Sequence, residues 1–236
     1  MRVSDKIESG RASWSFDGNV PGAFVEHVRQ SVPFYDEGHE LICGLSDYFC
    51  HGDSTCYEIG VSTGQLIRRL AEHNKHKPGI NWIGIDPIAG MITKAREHCA
   101  GIPNVKLEVG DALSYDFAKA DLVVSYYCVQ FVMPRQRQEL INRLYEQLNW
   151  GGALIMFEKV RAPDARFQDI ISGLYSDFKA KNGFTAEEIL NKTSSLKGVL
   201  EPFSTDGNLG LLRRAGFVDV MTVMKYLCFE GFLAIK

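Results

Sequence analysis

Between residues 54 and 160, short apolar runs alternate with stretches of helical periodicity, and this alternation restricts the possible folds more than any other feature. "TCYEIG", "NWIGID", "VKLEVG", "DLVVSYY" and "GALIMFE" read as strands. Between and after them, residues 63–74 carry Leu66, Ile67 and Leu70 at helical spacing, and residues 134–148 do the same with Leu140, Ile141, Leu144 and Leu148. Strand-helix-strand crossovers of this kind predict an α/β fold, with a mostly parallel sheet covered by helices on both faces.

The flanks read differently. About 50 residues precede the alternating core and hold two weak helical patterns, 23–30 and 34–49. After it, 164–200 is helical in pattern with turn breaks at Asn182-Gly183 and Lys197-Gly198, placed to cover the strand ends as a lid. The chain end, "FVDVMTVMKYLCFEGFLAIK", alternates like a strand pair, with a bulge or bend expected at Glu230-Gly231. The resulting division is a helical N-terminal cap over 1–52 and a Rossmann-like domain over 53–236, with a helical lid insertion at about 161–204.

With 236 residues, 45% apolar and 23% charged, the chain is large enough to bury a substantial core in one embellished domain. A formal net charge of −3, with no run of four basic residues, offers no field for a polyanion, so no nucleic-acid partner is expected. No stretch approaches the ~18 apolar residues of a membrane span, and "MRVSDKIESGRASW" lacks a signal-like apolar segment, so a cytoplasmic protein is expected. The six cysteines (43, 50, 56, 99, 128, 228) contain no C-x-x-C pair and read as reduced core thiols; no metal site is expected.

Gly60-Val61-Ser62-Thr63-Gly64 fits the G-x-S-x-G elbow of serine hydrolases. That chemistry needs a histidine late in the chain, but all six histidines (27, 39, 51, 73, 76, 98) lie before residue 99. The dinucleotide pattern G-x-G-x-x-G is absent too. What remains is an acid, Glu58, two residues before a glycine turn that opens a helix. A turn of this kind in class I S-adenosylmethionine (SAM) methyltransferases lets the backbone approach the amino acid part of SAM, while a nearby carboxylate engages its ammonium. Asp86 ends the next strand 22 residues after Gly64, where an acid can accept both hydrogen bonds of a ribose diol or cap the helix beside Pro87. Asp111 ends the third, facing the adenine amino group in that fold class, with Ala112 beside it.

These positions sit in a chain that resembles the carboxy-SAM synthase family, which converts SAM and prephenate to carboxy-SAM. "WSFDGNV", "QSVPFY", "YEIGVSTG", "GID", "GDA", "VQF", "LNWGGALIMFEK" and "DFKAKNGFTAEEI" stand in family order. The resemblance implies a class I methyltransferase fold with seven strands, SAM as cofactor and a homodimer. By motif match Tyr35, Gly60, Val61, Ser62, Asp86, Pro87, Asp111 and Ala112 line the SAM pocket; Glu58, Gly64, Met91, Tyr126 and Gln130 complete the candidate set.

Two positions depart from the family. Tyr126 stands where the family has asparagine, and Thr193 where it has the arginine that pairs with the extra carboxylate; threonine has neither the charge nor the bidentate fork. Arg161 and Arg166 are the alternative arginines. Tyr126 and Tyr127 end the fourth strand, where neighbours on a strand point opposite ways, and Tyr126 is assigned to the ligand side. Its ring would attract a sulfonium by about 0.5–2 kcal/mol. Tyr175, Phe178, Trp14 and Phe16 are candidates for an aromatic enclosure.

The leading expectation is methyl transfer from SAM to a small-molecule acceptor, with Tyr35, Tyr126, Gln130 and Tyr175 as polar contacts and Tyr126 and Tyr175 as the catalytic pair. The alternative makes SAM the substrate: its amine attacks its own γ-carbon, releasing methylthioadenosine and azetidine-2-carboxylate. Carboxy-SAM synthesis is a further possibility.

Overall fold

The computed structural model describes residues 1–4, 7–18 and 20–236; Asn19, within "WSFDGNV", lies outside the described residues. The chain opens with a short antiparallel pair, β1 (Arg2–Ser4) and β2 (Ile7–Glu8), followed by helices α1 (Val20–Ser31) and α2 (Tyr35–Ser46). The alternating region follows as β3 (Thr55–Ile59), α3 (Gln65–His73), β4 (Asn81–Asp86), α4 (Ala89–His98), β5 (Val105–Val109), β6 (Ala120–Tyr126), α5 (Pro134–Gln147) and β7 (Leu148–Lys159). Each of the five expected strands is present. Four elements, β1, β2, α4 and α8, carried no clear pattern in the sequence.

Helices α6 (Ala165–Lys181) and α7 (Ala186–Ser195) come next, separated at the expected Asn182-Gly183 break. Asp164 caps α6 by accepting from the Phe167 amide, and Thr185 with Glu188 forms a capping box on α7. Helix α8 (Thr205–Ala215), capped by Ser204, leads into β8 (Asp219–Tyr226) and β9 (Phe229–Ile235).

The seven-stranded sheet runs β5-β4-β3-β6-β7-β9-β8, and β9 alone runs opposite to the other six strands. Alternation along the strands divides the core. Cys56, Trp82, Leu122, Val124, Ile155 and Phe157 face α2, α3 and α4, whereas Tyr57, Ile59, Ile85, Val123, Leu154 and Met156 face α5 and α8. Both faces being covered explains why these strands read as continuous apolar runs. The chain order reverses between β3 and β6, so the crevice beyond their carboxyl ends is the place for a ligand.

The C-terminal pair corrects one expectation. Glu230 and Gly231 stay in regular register against Glu158 and Phe157, and the irregularity falls in β8, between Thr222 and Met224. The glycine is needed for space: a Cβ at 231 would stand 2.5 Å from the Phe157 ring.

Candidate active site

A cavity of about 840 Å³ opens above the carboxyl ends of β3, β4, β6 and β7, roofed by α1, α6 and α7. Its floor is the glycine turn after β3. Gly60 and Ser62 both have positive φ, 67° and 51°, and a Cβ on Gly60 would lie 2.5 Å from Cys128 Sγ, so the turn and the end of β6 pass too closely for a side chain. Ser62 Oγ contacts Met91 Sδ at 3.4 Å and no histidine, which removes the hydrolase reading. Its amide donates to Asp86 Oδ2 (3.0 Å), and the Ile88 amide donates to Oδ1 (2.9 Å). Asp86 thus ties the two turns together. Burial pushes its carboxyl above the ordinary range against the pull of those amides, and each oxygen keeps acceptor capacity for a diol.

Glu58 is buried at the tip of β3 with Oε2 unpartnered. Burial drives its carboxyl well above the normal value, opposed by a backbone amide at Ile67. A buried unpartnered oxygen on the cavity wall is the counterpart an ammonium lacks.

Tyr126 stands at the tip of β6, with ring centroids 4.8 Å from His39, 5.3 Å from Tyr35 and 4.6 Å from Tyr127. Its hydroxyl donates to the Tyr35 carbonyl at 2.7 Å. Helix α2 makes room for it: a Cβ on Gly38 would stand 2.2 Å from Tyr126 Oη. His39, driven to about 3 by burial and then by Arg69, is neutral, and neither of its ring nitrogens has a partner. The expected alternation of the two tyrosines does not hold. Tyr127 has φ 57°, and this left-handed turn swings its ring to the same side, where both line the cavity. A bulky residue in that conformation costs about 1–3 kcal/mol.

Tyr175, on α6, donates its hydroxyl to the Ser31 carbonyl at 2.8 Å, tying α6 to the end of α1. Gln130 is committed at both ends of its amide: Oε1 accepts from the Lys159 amide (2.8 Å) and Nε2 donates to the Tyr127 carbonyl (3.2 Å). Of the sequence candidates, Tyr35, Glu58, Gly60, Val61, Ser62, Asp86, Pro87, Met91, Tyr126, Gln130 and Tyr175 line this one cavity, with Trp14 and Phe16. Gly64, Asp111, Ala112 and Phe178 are not part of its wall. Gly64, at φ 80°, packs α3 on α4, and a Cβ there would sit 3.1 Å from Ala95 and Cys99. Asp111 is exposed and accepts from the Leu113 amide at 2.9 Å, a turn-capping contact. Thr193 is exposed at the rim and donates to the Ile189 carbonyl at 2.8 Å; Arg161 is exposed at the rim, and Arg166 lies outside the wall.

Several lining residues escaped the sequence reading. Lys159 and Lys179 place their ammoniums 4.4 and 4.6 Å from the Tyr175 ring centre, and Lys192 lies over Trp14. His27 stacks on Trp14, with both ring nitrogens unpartnered. Burial, then Lys192 and Lys179, lowers it to about 3. Their only sequence signal was position: Lys159 ends a strand, whereas Lys179 and Lys192 lie in helices that read as ordinary amphipathic ones.

Fold, glycine turn and strand-end acids together define a SAM-dependent enzyme of the class I methyltransferase fold. Residues 57–152 match the family described as a methyltransferase domain. Human N-acetylserotonin methyltransferase in complex with SAM superposes with a TM-score of 0.62 at 18% identity, covering 92% of this chain and 56% of that one. The cyclopropane synthase MmaA2 of Mycobacterium tuberculosis does so with a TM-score of 0.59 at 13% identity, covering 80% of this chain and 63% of that one. Full-length relatives narrow the class. The carboxy-S-adenosyl-L-methionine synthase of Staphylococcus epidermidis is 35% identical over 224 residues, 94% of this chain and 97% of its own length. That of Campylobacter jejuni is 32% identical over 231 residues, 97% of both. The chain belongs to the carboxy-SAM synthase family.

Proposed function

We propose that SAM is the substrate of this enzyme and that it cyclises: the amine displaces methylthioadenosine from the γ-carbon, leaving azetidine-2-carboxylate. The observation that carries this reading is the aromatic wall at the tip of β6, where Tyr126 packs on Tyr35, His39 and Tyr127 and its hydroxyl is bonded to the main chain. A methyl acceptor needs polar groups to orient its nucleophile. Three of the four residues the sequence offered for that purpose, Tyr126, Gln130 and Tyr175, already bond to backbone. Methyl transfer to an acceptor therefore loses three of its four candidate contacts. It also fits less well with a family named for an enzyme that makes a modified SAM.

In the proposed step, the nitrogen lone pair forms the N–Cγ bond as the Cγ–S bond breaks, and the bond pair leaves on sulfur as neutral methylthioadenosine. The amine must first lose one proton. Burial lowers the affinity of an amine for its proton and so raises the neutral, nucleophilic fraction. Glu58, its carboxyl made more basic by burial, is placed to take the proton when ionised. The rings hold the sulfonium, each worth about 0.5–2 kcal/mol, and shape the tail for in-line attack. Asp86, on the cavity wall, would hold the ribose.

Carboxy-SAM formation is the second reading, favoured by the three lysines beside Tyr175 and Trp14. Mass spectrometry of the enzyme with SAM alone, and with SAM plus prephenate, separates the readings. Methylthioadenosine with azetidine-2-carboxylate from SAM alone is expected; carboxy-SAM that appears only with prephenate would overturn the proposal. We read residues 1–52 as a cap and about 161–204 as a lid on the 53–236 domain, in a cytoplasmic homodimer acting on a small molecule without nucleic acid. Among the described residues no helix is long and apolar enough to cross a membrane.

A further inference from the structure

Lys159, Lys179 and Lys192 converge on the roof side of the cavity, away from the glycine turn. They come from the end of β7, from α6 and from α7, and share the walls of Tyr175 and Trp14. Among the described residues none of the three ammoniums makes an ion pair or a hydrogen bond. Lys179 is only 6% exposed, and the buried Trp14 Nε1–H and His27 nitrogens beside the group have no partner. Burying cations together without an anion is unfavourable, and a protein keeps such an arrangement where a ligand completes it.

We infer that Lys159, Lys179 and Lys192, with the Trp14 indole N–H, form an anion subsite that takes the carboxylate of a small organic acid. The aromatic walls fit the carbon skeleton behind that carboxylate. Burial lowers all three ammoniums, Lys179 to about 8; repulsion by Lys159 adds to the shift of Lys179, repulsion by Lys179 and Lys159 to that of Lys192, and repulsion by Lys197 to that of Lys159. The carboxylate has two possible sources: the amino acid tail of SAM folded towards the roof, or a second acid. The subsite concerns binding, so its test does not depend on which product the enzyme makes.

Isothermal titration with SAM, decarboxylated SAM, and malonate or malonamide added to the methylthioadenosine-bound enzyme compares carboxylates with their neutral counterparts. Wild type is expected to favour at least one carboxylate partner tenfold or more. In Lys179→Met and Lys192→Met that preference collapses, while the ligand-free Tm rises by roughly 2–4 °C because an unpaired buried cation is gone. Loss of the SAM preference assigns the site to SAM's own carboxylate; loss of malonate binding assigns it to a second acid. Unchanged preferences in folded variants overturn the inference, as does a fall in Tm with binding intact. Should a variant not fold, the wild-type comparison decides: SAM no tighter than decarboxylated SAM, with malonate no tighter than malonamide, also overturns it.

Discussion

Replacing Tyr126 separates its ring from its hydroxyl. Tyr126→Phe deletes the 2.7 Å hydrogen bond to the Tyr35 carbonyl and keeps the ring contacts at 4.6–5.3 Å with Tyr127, His39, Phe157 and Tyr35. One such bond contributes about 0.5–1.5 kcal/mol to stability. Tyr126→Ala removes the ring from a buried cluster, costing about 3–5 kcal/mol of stability, and also removes any attraction for the sulfonium. If that attraction acts on the transition state at about 0.5–2 kcal/mol, turnover falls roughly 2- to 30-fold beyond any loss of folded protein. Methylthioadenosine release, followed by liquid chromatography at a temperature where both variants are folded by circular dichroism, measures it. Phe is expected to stay within about threefold of wild type, and Ala to fall further. Equal turnover per folded molecule in the two variants would refute the reasoning, because a ring that can be removed without effect does not hold the sulfonium.

Gly38→Ala puts a Cβ 2.2 Å from Tyr126 Oη and is expected to lower stability by about 1–3 kcal/mol in urea denaturation; Tyr126→Phe, whose nearest ring carbon is 3.1 Å away, should recover part of it, and strictly additive losses would deny the coupling. Asp86→Asn keeps the shape but removes the charge that a ribose diol would meet, so SAM affinity by calorimetry should drop about tenfold, and an unchanged affinity would take Asp86 out of the site. Burial raises Glu158 to about 8, against Arg137 and two backbone amides. Between the unfolded value of about 4.3 and that folded value, the native state holds a proton that the unfolded chain has lost, so stability falls with rising pH by a few kcal/mol and then levels off. Glu158→Gln should therefore flatten the dependence of Tm on pH between 5 and 8, and an unaltered slope would count against a protonated Glu158.

The sheet was legible because a parallel strand covered on both faces must be apolar throughout, as "NWIGID" and "GALIMFE" are, and because crossover helices such as α5 show Leu140, Ile141 and Leu144 on one stripe. Helix α4 was not, since its buried side is only Met91, Ile92 and Ala95. The floor of the site was legible for a related reason: Gly60, Ser62 and Asp86 follow strands at the switch point, and that position alone brings them together. Its roof was not. Trp14, His27, Lys179 and Lys192 meet because the Ala12 and Trp14 amides bond to the carbonyls of Ser194 and Ser195, a long-range contact with no local signature. Tyr127 shows the limit within a single strand end, where one left-handed residue sends two neighbouring side chains the same way against the rule of alternation.

The most direct test of cyclisation is the fate of SAM labelled with ¹⁵N at the amine and stereospecifically with deuterium at the γ-carbon of its aminobutyrate chain. Given to the enzyme with no other substrate and analysed by NMR, it is predicted to yield azetidine-2-carboxylate with ¹⁵N bonded to the deuterated carbon and the configuration there inverted, in equal amount with methylthioadenosine. Recovery of the label in S-adenosylhomocysteine, in carboxy-SAM or in open-chain homoserine would contradict the account.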